Sequence, residues 1–207
     1  MLSWQRSRLR RAALRYADAG WPVIPGAYLT GSGQRRRFDC GAPKCRTVAC
    51  HPALVGWENE GTTDDVKIDA WWAERAYSVL LVTGIAFDVL DVPASMGRRA
   101  MSANRPVRGP VAATSSGRWM FLVRPGHTLL PELERDPEVI LHGWHSWVPA
   151  PPSLQVGGRV RWLIHPAEFH WRAANPYSVQ ALMLRPRTKM LTQRRVSTIT
   201  EPNVAVS

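Results

Sequence analysis

The chain opens on a helical rhythm. Over residues 5–19, Leu9, Ala13 and Tyr16 or Ala17 recur at the spacing of one helix face, and arginines fill the other. Gly20 ends the run. Trp21-Pro22-Val23-Ile24-Pro25 follows, and two prolines in five residues exclude a helix and leave a short extended segment. Residues 26–56 lose any apolar period and read as a long loop or insertion, which a compact domain tolerates where something pins it. Thr62-Thr63-Asp64-Asp65 then supplies capping side chains for a helix reaching about Ala76, with Ile68, Trp71 and Trp72 on its apolar side.

Short β-branched and apolar runs take over from there. Val79 to Val82 and Phe87 to Val92 flank Thr83-Gly84 and predict strand, turn, strand. A short helix over 94–103 precedes a second strand pair, Val111 to Thr114 and Trp119 to Val123, around Ser115-Ser116-Gly117. A third pair, Trp147 to Ala150 and Val160 to Ile164, is joined through Pro151-Pro152-Ser153 and a Gly157-Gly158 turn. The pattern predicts one α+β domain over residues 1–184, with a mostly antiparallel sheet and helices gathered in its N-terminal half. A Cys-rich loop is inserted at 38–52. Residues 185–207 are polar and basic, and are expected to form a disordered tail.

Composition adds limits. The 207 residues, 45% hydrophobic and 21% charged, suffice for one domain with a sizeable core. No apolar run approaches the length of a membrane span, and Arg6, Arg8, Arg10, Arg11 and Arg15 interrupt any N-terminal signal core. The expectation is a cytoplasmic protein with no membrane partner. The net charge of +11 is uneven: residues 1–46 carry +8, residues 47–184 carry −1 and residues 185–207 carry +4. A positive field at the two ends suits phosphate-backbone contact, with the N-terminal helix and Arg35, Arg36 and Arg37 as candidates. Only three of the cations are lysines, so a biased genomic base composition accounts equally for the arginine excess.

Four constellations bear on chemistry. Cys40, Cys45, Cys50 and His51 are spaced C-x4-C-x4-C-H, and three thiolates with one imidazole complete a tetrahedral zinc shell; reduced structural thiols are the alternative. Adjacent Cys50 and His51 must then both turn inward. Asp88 and Asp91 bracket a strand, but two-metal phosphoryl transfer needs carboxylates at i and i+2, and these stand three apart. Position 93, which shares the face of Asp91, is proline, and Asp88 reads as a surface carboxylate. Thr114-Ser115-Ser116-Gly117-Arg118 is either a plain hairpin turn or a phosphate cradle with Arg118 adding a charge-assisted bond. His142 and His145 flank Trp144 and read as partly exposed loop histidines. The ten tryptophans read mostly as core or loop anchors, one or two of them available to stack on bases.

Taken in order, these segments resemble the N-terminal primase-polymerase (Prim-Pol) domain of bifunctional DNA primase/polymerases, in the archaeo-eukaryotic primase superfamily. Ala12 to Ala17 with Gly20-Trp21-Pro22-Val23-Ile24-Pro25 resembles the family's opening helix and GW-P-V-P strand. Cys40 to His51-Pro52 resembles a Cys-rich insertion ending in His-Pro, and Thr62-Thr63-Asp64 to Trp71-Trp72 is similar to a TTD…WW helix. Thr83-Gly84 resembles the family's TG turn, Leu90-Asp91-Val92 its acidic strand, Thr114 to Gly117 its Ser-Gly turn, and Val148 to Ser153 with Trp162 its V-APPS…G…W ending. The resemblance spans about residues 10–165.

What it implies is template-directed nucleotide addition with Mg²⁺ or Mn²⁺, on a primer-template or single-stranded DNA or RNA, beside other replication proteins. Asp91 would be the catalytic carboxylate; Thr83, Gly84, Ser115, Ser116, Gly117 and Arg118 would contact nucleotide. The departures are as informative. The family's acidic strand is D-x-D where this chain has Asp91 and Pro93; its Ser-Gly turn precedes a histidine where this chain has Trp119; its third metal-binding Asp falls at or near Ile140. Three readings follow. The first is a diverged domain that binds nucleic acid or nucleotide with weak or absent transfer activity. The second is an active enzyme using Asp91 with relocated carboxylates such as Asp88 or Glu138. The third is a zinc-stabilised accessory protein of replication.

Overall fold

The computed structural model describes residues 2–43, 45–102 and 107–184; the tail expected to be disordered, 185–207, lies outside the described residues. In chain order the main elements are α1 (Leu2–Asp18), β1 (Val23–Gly26), β2 (Tyr28–Thr30), β3 (Arg37–Asp39), α2 (Asp65–Glu74), β4 (Ser78–Val82), β5 (Asp88–Pro93), α3 (Ala94–Met101), β6 (Val111–Ala113), β7 (Arg118–Val123), α4 (Pro131–Glu134), β8 (Ile140–His142), β9 (Trp147–Pro149), β10 (Leu154–Gln155), β11 (Gly158–Arg159), β12 (Arg161–Ile164) and α5 (Pro176–Leu184). This is the α+β, antiparallel architecture that the pattern predicts.

The ends of the first two helices follow from local chemistry. Gly20 adopts φ +78°, which lets the Trp21 N–H reach back to the Tyr16 carbonyl at 2.9 Å and close α1. Asp64 caps α2, its side chain accepting from the Val66 N–H at 2.9 Å. Ile68 and Trp72 are buried beneath it.

Two antiparallel sheets carry the fold. One has three strands in the order β1-β4-β9, the other five in the order β12-β6-β7-β5-β8. Two small ribbons, β2-β3 and β10-β11, complete the set. One face of the five-stranded sheet, with Val89, Met120 and Leu122, packs with the three-stranded sheet, α1 and α2. The other, with Leu90, Val92 and Phe121, packs on α3 and α5 through Met96, Ala100, Val179 and Met183.

Several pairings differ from the expected hairpins. β4 and β5 lie in different sheets, because Val79 to Val82 are buried all along and β4 is the central strand between β1 and β9. β9 and β12 likewise separate, and the Gly157-Gly158 turn closes only the β10-β11 ribbon. The loop at 26–56 contains a real hairpin, β2-β3. Helix α5 lies at the C-terminal side of the domain, so the helices are not confined to the first half. Among the described residues no helix is long and apolar enough to cross a membrane.

Candidate active site

Strand β5 runs between β7 and β8, and its register decides which residues can meet. Asp91 stands opposite Met120 on β7 and Ile140 on β8; Pro93 stands opposite Arg118, and Val89 opposite His142. Directly opposed residues share a face, and so do residues two apart on one strand. Asp91, Pro93, Arg118, Ile140 and His142 therefore lie on one face of the sheet. Asp88, three residues from Asp91, lies on the other.

Arg118 Nε donates to Asp91 Oδ1 at 3.0 Å, and its Nη2 donates to the Asp91 carbonyl at 3.0 Å. His142 Nε2 stands 3.6 Å from Asp91 Oδ2, and its Nδ1 is 3.0 Å from Ser146 Oγ. The side chains of Asp91, His142 and Arg118 are 15%, 22% and 23% exposed, so this triad is largely shielded from solvent. The turn before β7 sets Arg118 in place. Gly117 takes φ +81°, the Thr114 N–H donates to the Arg118 carbonyl at 2.9 Å, and the Arg118 N–H donates to Thr114 Oγ1 at 3.1 Å.

A cavity of about 680 Å³ opens above these groups. Asp91, Arg118 and His142 line it with Ser115 and Ser116, against an apolar side that includes Trp147. Residues 48–50 of the Cys-rich loop also line it. The Ser115 N–H and hydroxyl both donate to Gln155 Oε1, at 3.0 and 3.2 Å, and Ser116 Oγ lies 2.9 Å from Thr114 Oγ1. The donors of this turn are thus partly spent within the protein.

Other expected site residues are placed elsewhere. Thr83 is buried and Gly84 sits beside it, and neither lines the cavity. Thr83 Oγ1 donates to the Gly143 carbonyl at 2.6 Å and its N–H to the Ser146 carbonyl at 3.0 Å, while a Cβ on Gly84 would collide with the Trp144 backbone. These two residues hold the turn between β8 and β9, and through it Ser146 and His142. Arg35, Arg36 and Arg37 are exposed, and Arg36 Nη1 donates to the carbonyl of the cavity-lining Val156 at 3.3 Å, which puts this basic run at the rim. Glu138 is exposed and does not line the cavity.

Three readings need correction. Asp88 is not a surface carboxylate: it is 3% exposed, with Oδ2 accepting from the Gly126 N–H at 2.9 Å and Oδ1 unpartnered. Burial raises its pKa above the usual carboxylate value. Trp119 does not project into the site; the alternation of β7 turns its ring to the opposite face, against Gly97 of α3, and Arg118 is the residue of that turn beside Asp91. His142 is no loop residue but the end of β8. Its placement was legible in the count that put Ile140 at a family position, since strand alternation returns residue 142 to the same face.

The residues on this face do not fit a pair of divalent cations. Among the described residues Asp91 is the one carboxylate lining the cavity, its Oδ1 is held by Arg118, and Pro93 and Ile140 offer no ligand atom.

The Cys-rich loop gives a different result. Ligand atoms of Cys40, Cys45 and His51 lie within 4.8 Å of one another, with Cys45 Sγ 3.5 Å from His51 Nε2. Cys50 is outside this group. The Cys50 thiol instead packs with Ile24, Leu80 and Val82 of the three-stranded sheet. Burial there pushes the Cys50 thiol up to about 12. Three of the four expected ligands fit a metal; the fourth does not.

A two-sheet antiparallel domain with an acidic strand beside a Ser-Gly turn and a cavity over both is the arrangement of a primase-polymerase-like protein. The sequence profile of bifunctional DNA primase/polymerase, N-terminal, matches residues 13–176, and the chain belongs to that family. Membership implies a DNA primase/polymerase-like function in replication. A search of curated proteins finds no match.

Proposed function

We propose that this chain is a diverged Prim-Pol domain that binds nucleic acid or nucleotide in the cavity above Asp91, with metal-dependent nucleotidyl transfer weak or lost. The observation that carries the reading is the environment of Asp91: Arg118 and His142 are its neighbours, where Pro93 and Ile140 replace the carboxylates that paired ions require. The Arg118 guanidinium answers the Asp91 charge without a metal, so the cavity presents no uncompensated carboxylate to anionic groups such as phosphates. The apolar side of the cavity, including Trp147, offers a surface for a base. The Cys40, Cys45 and His51 group supports a second part of the reading, a structural zinc that pins the loop forming part of the cavity wall.

Primer extension and de novo primer synthesis with Mg²⁺ or Mn²⁺ test the chemistry, comparing the native chain with Asp91→Ala. Loss of one preorganised charged group costs about two to three orders of magnitude in rate, and two carboxylates are missing here. Both proteins are expected to show no extension while retaining nucleotide or oligonucleotide binding. Robust extension abolished by Asp91→Ala would establish an active enzyme with carboxylates recruited from elsewhere.

A further inference from the structure

A second cleft, of about 300 Å³, shares no lining residue with the cavity above Asp91. Four arginines line it. Arg8 and Arg15 lie two turns apart on α1, and Arg159 and Arg161 flank the buried Val160 where β11 passes into β12. Among the described residues none of the four is in a salt bridge, and no carboxylate lines the cleft. Four cations gathered without a counter-charge repel one another and are held together only by the fold. Burial and the nearby charge of Arg8 lower the pKa of Arg159.

Beside Pro151, Pro152 and Val160, the remaining lining is aromatic. Tyr16 is buried and donates its hydroxyl to the Pro151 carbonyl at 2.6 Å, and Trp162 and Trp171 are half-buried beside it. His165 lies between the indoles, its ring centroid 6.1 Å from Trp162 and 6.0 Å from Trp171. Its Nδ1 accepts from the Ala167 N–H at 3.2 Å, which leaves the ring proton on Nε2 as a donor. His170 and Trp171 both adopt left-handed backbone, φ 50° and 60°. Such a conformation is unfavourable for a non-glycine residue. Here it brings the Trp171 ring to the cleft, while the backbone N–H of Trp171 donates to the Pro166 carbonyl at 2.9 Å.

We propose that this cleft is a second binding site, which takes the phosphodiester backbone of single-stranded nucleic acid on its arginines, with a base against Trp162 or Trp171. The spread of the charges favours a strand over a free nucleotide. Arg8 and Arg15 are seven residues apart, about 10 Å along the helix, more than one phosphate group spans. Gln155 to Gly157 line the cavity above Asp91 and Arg159 to Arg161 line the cleft, so one short ribbon joins the two sites. A strand seated in the cleft is thereby directed toward that cavity. The proposal rests on the nucleic-acid-binding part of the function above and adds where the strand lies.

The test uses the full chain and a fluorescein-labelled dT12, titrated over a series of salt concentrations. Arg159→Ala/Arg161→Ala is compared with Arg135→Ala, an arginine that lines neither the cleft nor the cavity, and with Arg35→Ala/Arg36→Ala/Arg37→Ala. All of these arginines are exposed, and circular dichroism checks that each variant is folded. Removing two phosphate contacts lowers the salt slope by about 1.4 and the affinity roughly 25-fold at 0.1 M salt. That result in Arg159→Ala/Arg161→Ala, with Arg135→Ala binding dT12 as the native chain does, is expected. Unchanged affinity and slope in the double variant overturn the cleft while leaving nucleic-acid binding elsewhere intact. No dT12 binding by the native chain at low salt overturns both. Inorganic triphosphate is titrated in parallel: its loss from the double variant without any loss of dT12 would assign the cleft to a free anion and overturn the strand.

Discussion

Replacing Arg118 with alanine removes one charge-assisted hydrogen bond to the Asp91 carboxylate and one bond to its carbonyl. It leaves Asp91 with the His142 ring, 3.6 Å away, as the remaining side chain paired with it. The pair is neither an exposed surface pair, which contributes about 0.2–1 kcal/mol, nor a fully buried one, whose disruption costs about 3–5 kcal/mol. With side chains 15% and 23% exposed, an intermediate loss of about 2 kcal/mol is expected for Arg118→Ala. Asp91→Asn retains an oxygen acceptor and leaves a guanidinium that water reaches in part, so about 1 kcal/mol is expected. If Arg118 answers the Asp91 charge, the double variant falls short of the sum of the two by about 1 kcal/mol, outside the roughly 0.3–0.5 kcal/mol scatter of independent sites. Urea unfolding at pH 7 measures all four proteins, and thermal midpoints shift by about 2–4 °C per kcal/mol for a chain of this size. Additive losses, or a neutral Arg118→Ala, would refute the claim that this guanidinium occupies the carboxylate a metal would need. Titration of Arg118→Ala with Mn²⁺ gives a second reading: freed of its partner, Asp91 offers one more ligand oxygen, and binding that is absent in the native chain is expected to appear weakly.

Asp88→Asn tests the buried carboxylate on the other face of β5. Burial raises the pKa of Asp88, so the native state holds its proton more tightly than the unfolded state and loses stability as pH rises above about 4. The variant escapes that loss, so its advantage is expected to grow as pH rises and then level off at about 1 kcal/mol, the lower cost of one unpartnered buried acceptor; denaturant melts between pH 4 and 8 that show no such trend would contradict it. For the Cys-rich loop, protein purified without added metal is expected to carry about one zinc per chain, lost in Cys45→Ser or His51→Ala and retained in Cys50→Ser. Elemental analysis reads the content, and equal loss in Cys50→Ser would restore Cys50 as a ligand.

The linear pattern already contained the elements that depend on neighbouring residues. The periodicity of Leu9 to Ala17, the Gly20 stop and the Asp64 cap are local, because helix geometry and capping are settled within a few residues. The order of the motifs was legible for the same reason, as were the proline at 93 and the isoleucine at 140. What lay beyond it were facts of pairing. The runs 79–82 and 87–92 look alike as strands, yet one crosses the middle of the small sheet and the other that of the large one; only long-range hydrogen bonding separates them. The face on which Trp119 lies and the approach of Arg118 to Asp91 follow from strand alternation once the register is known, and the separation of Cys50 from His51 follows from its packing on the three-stranded sheet. Charge shows the same limit: residues 47–184 sum to −1, yet they supply Arg159 and Arg161 to a cleft completed by Arg8 and Arg15. A running sum averages over the chain, whereas a ligand meets only the charges that the fold brings together.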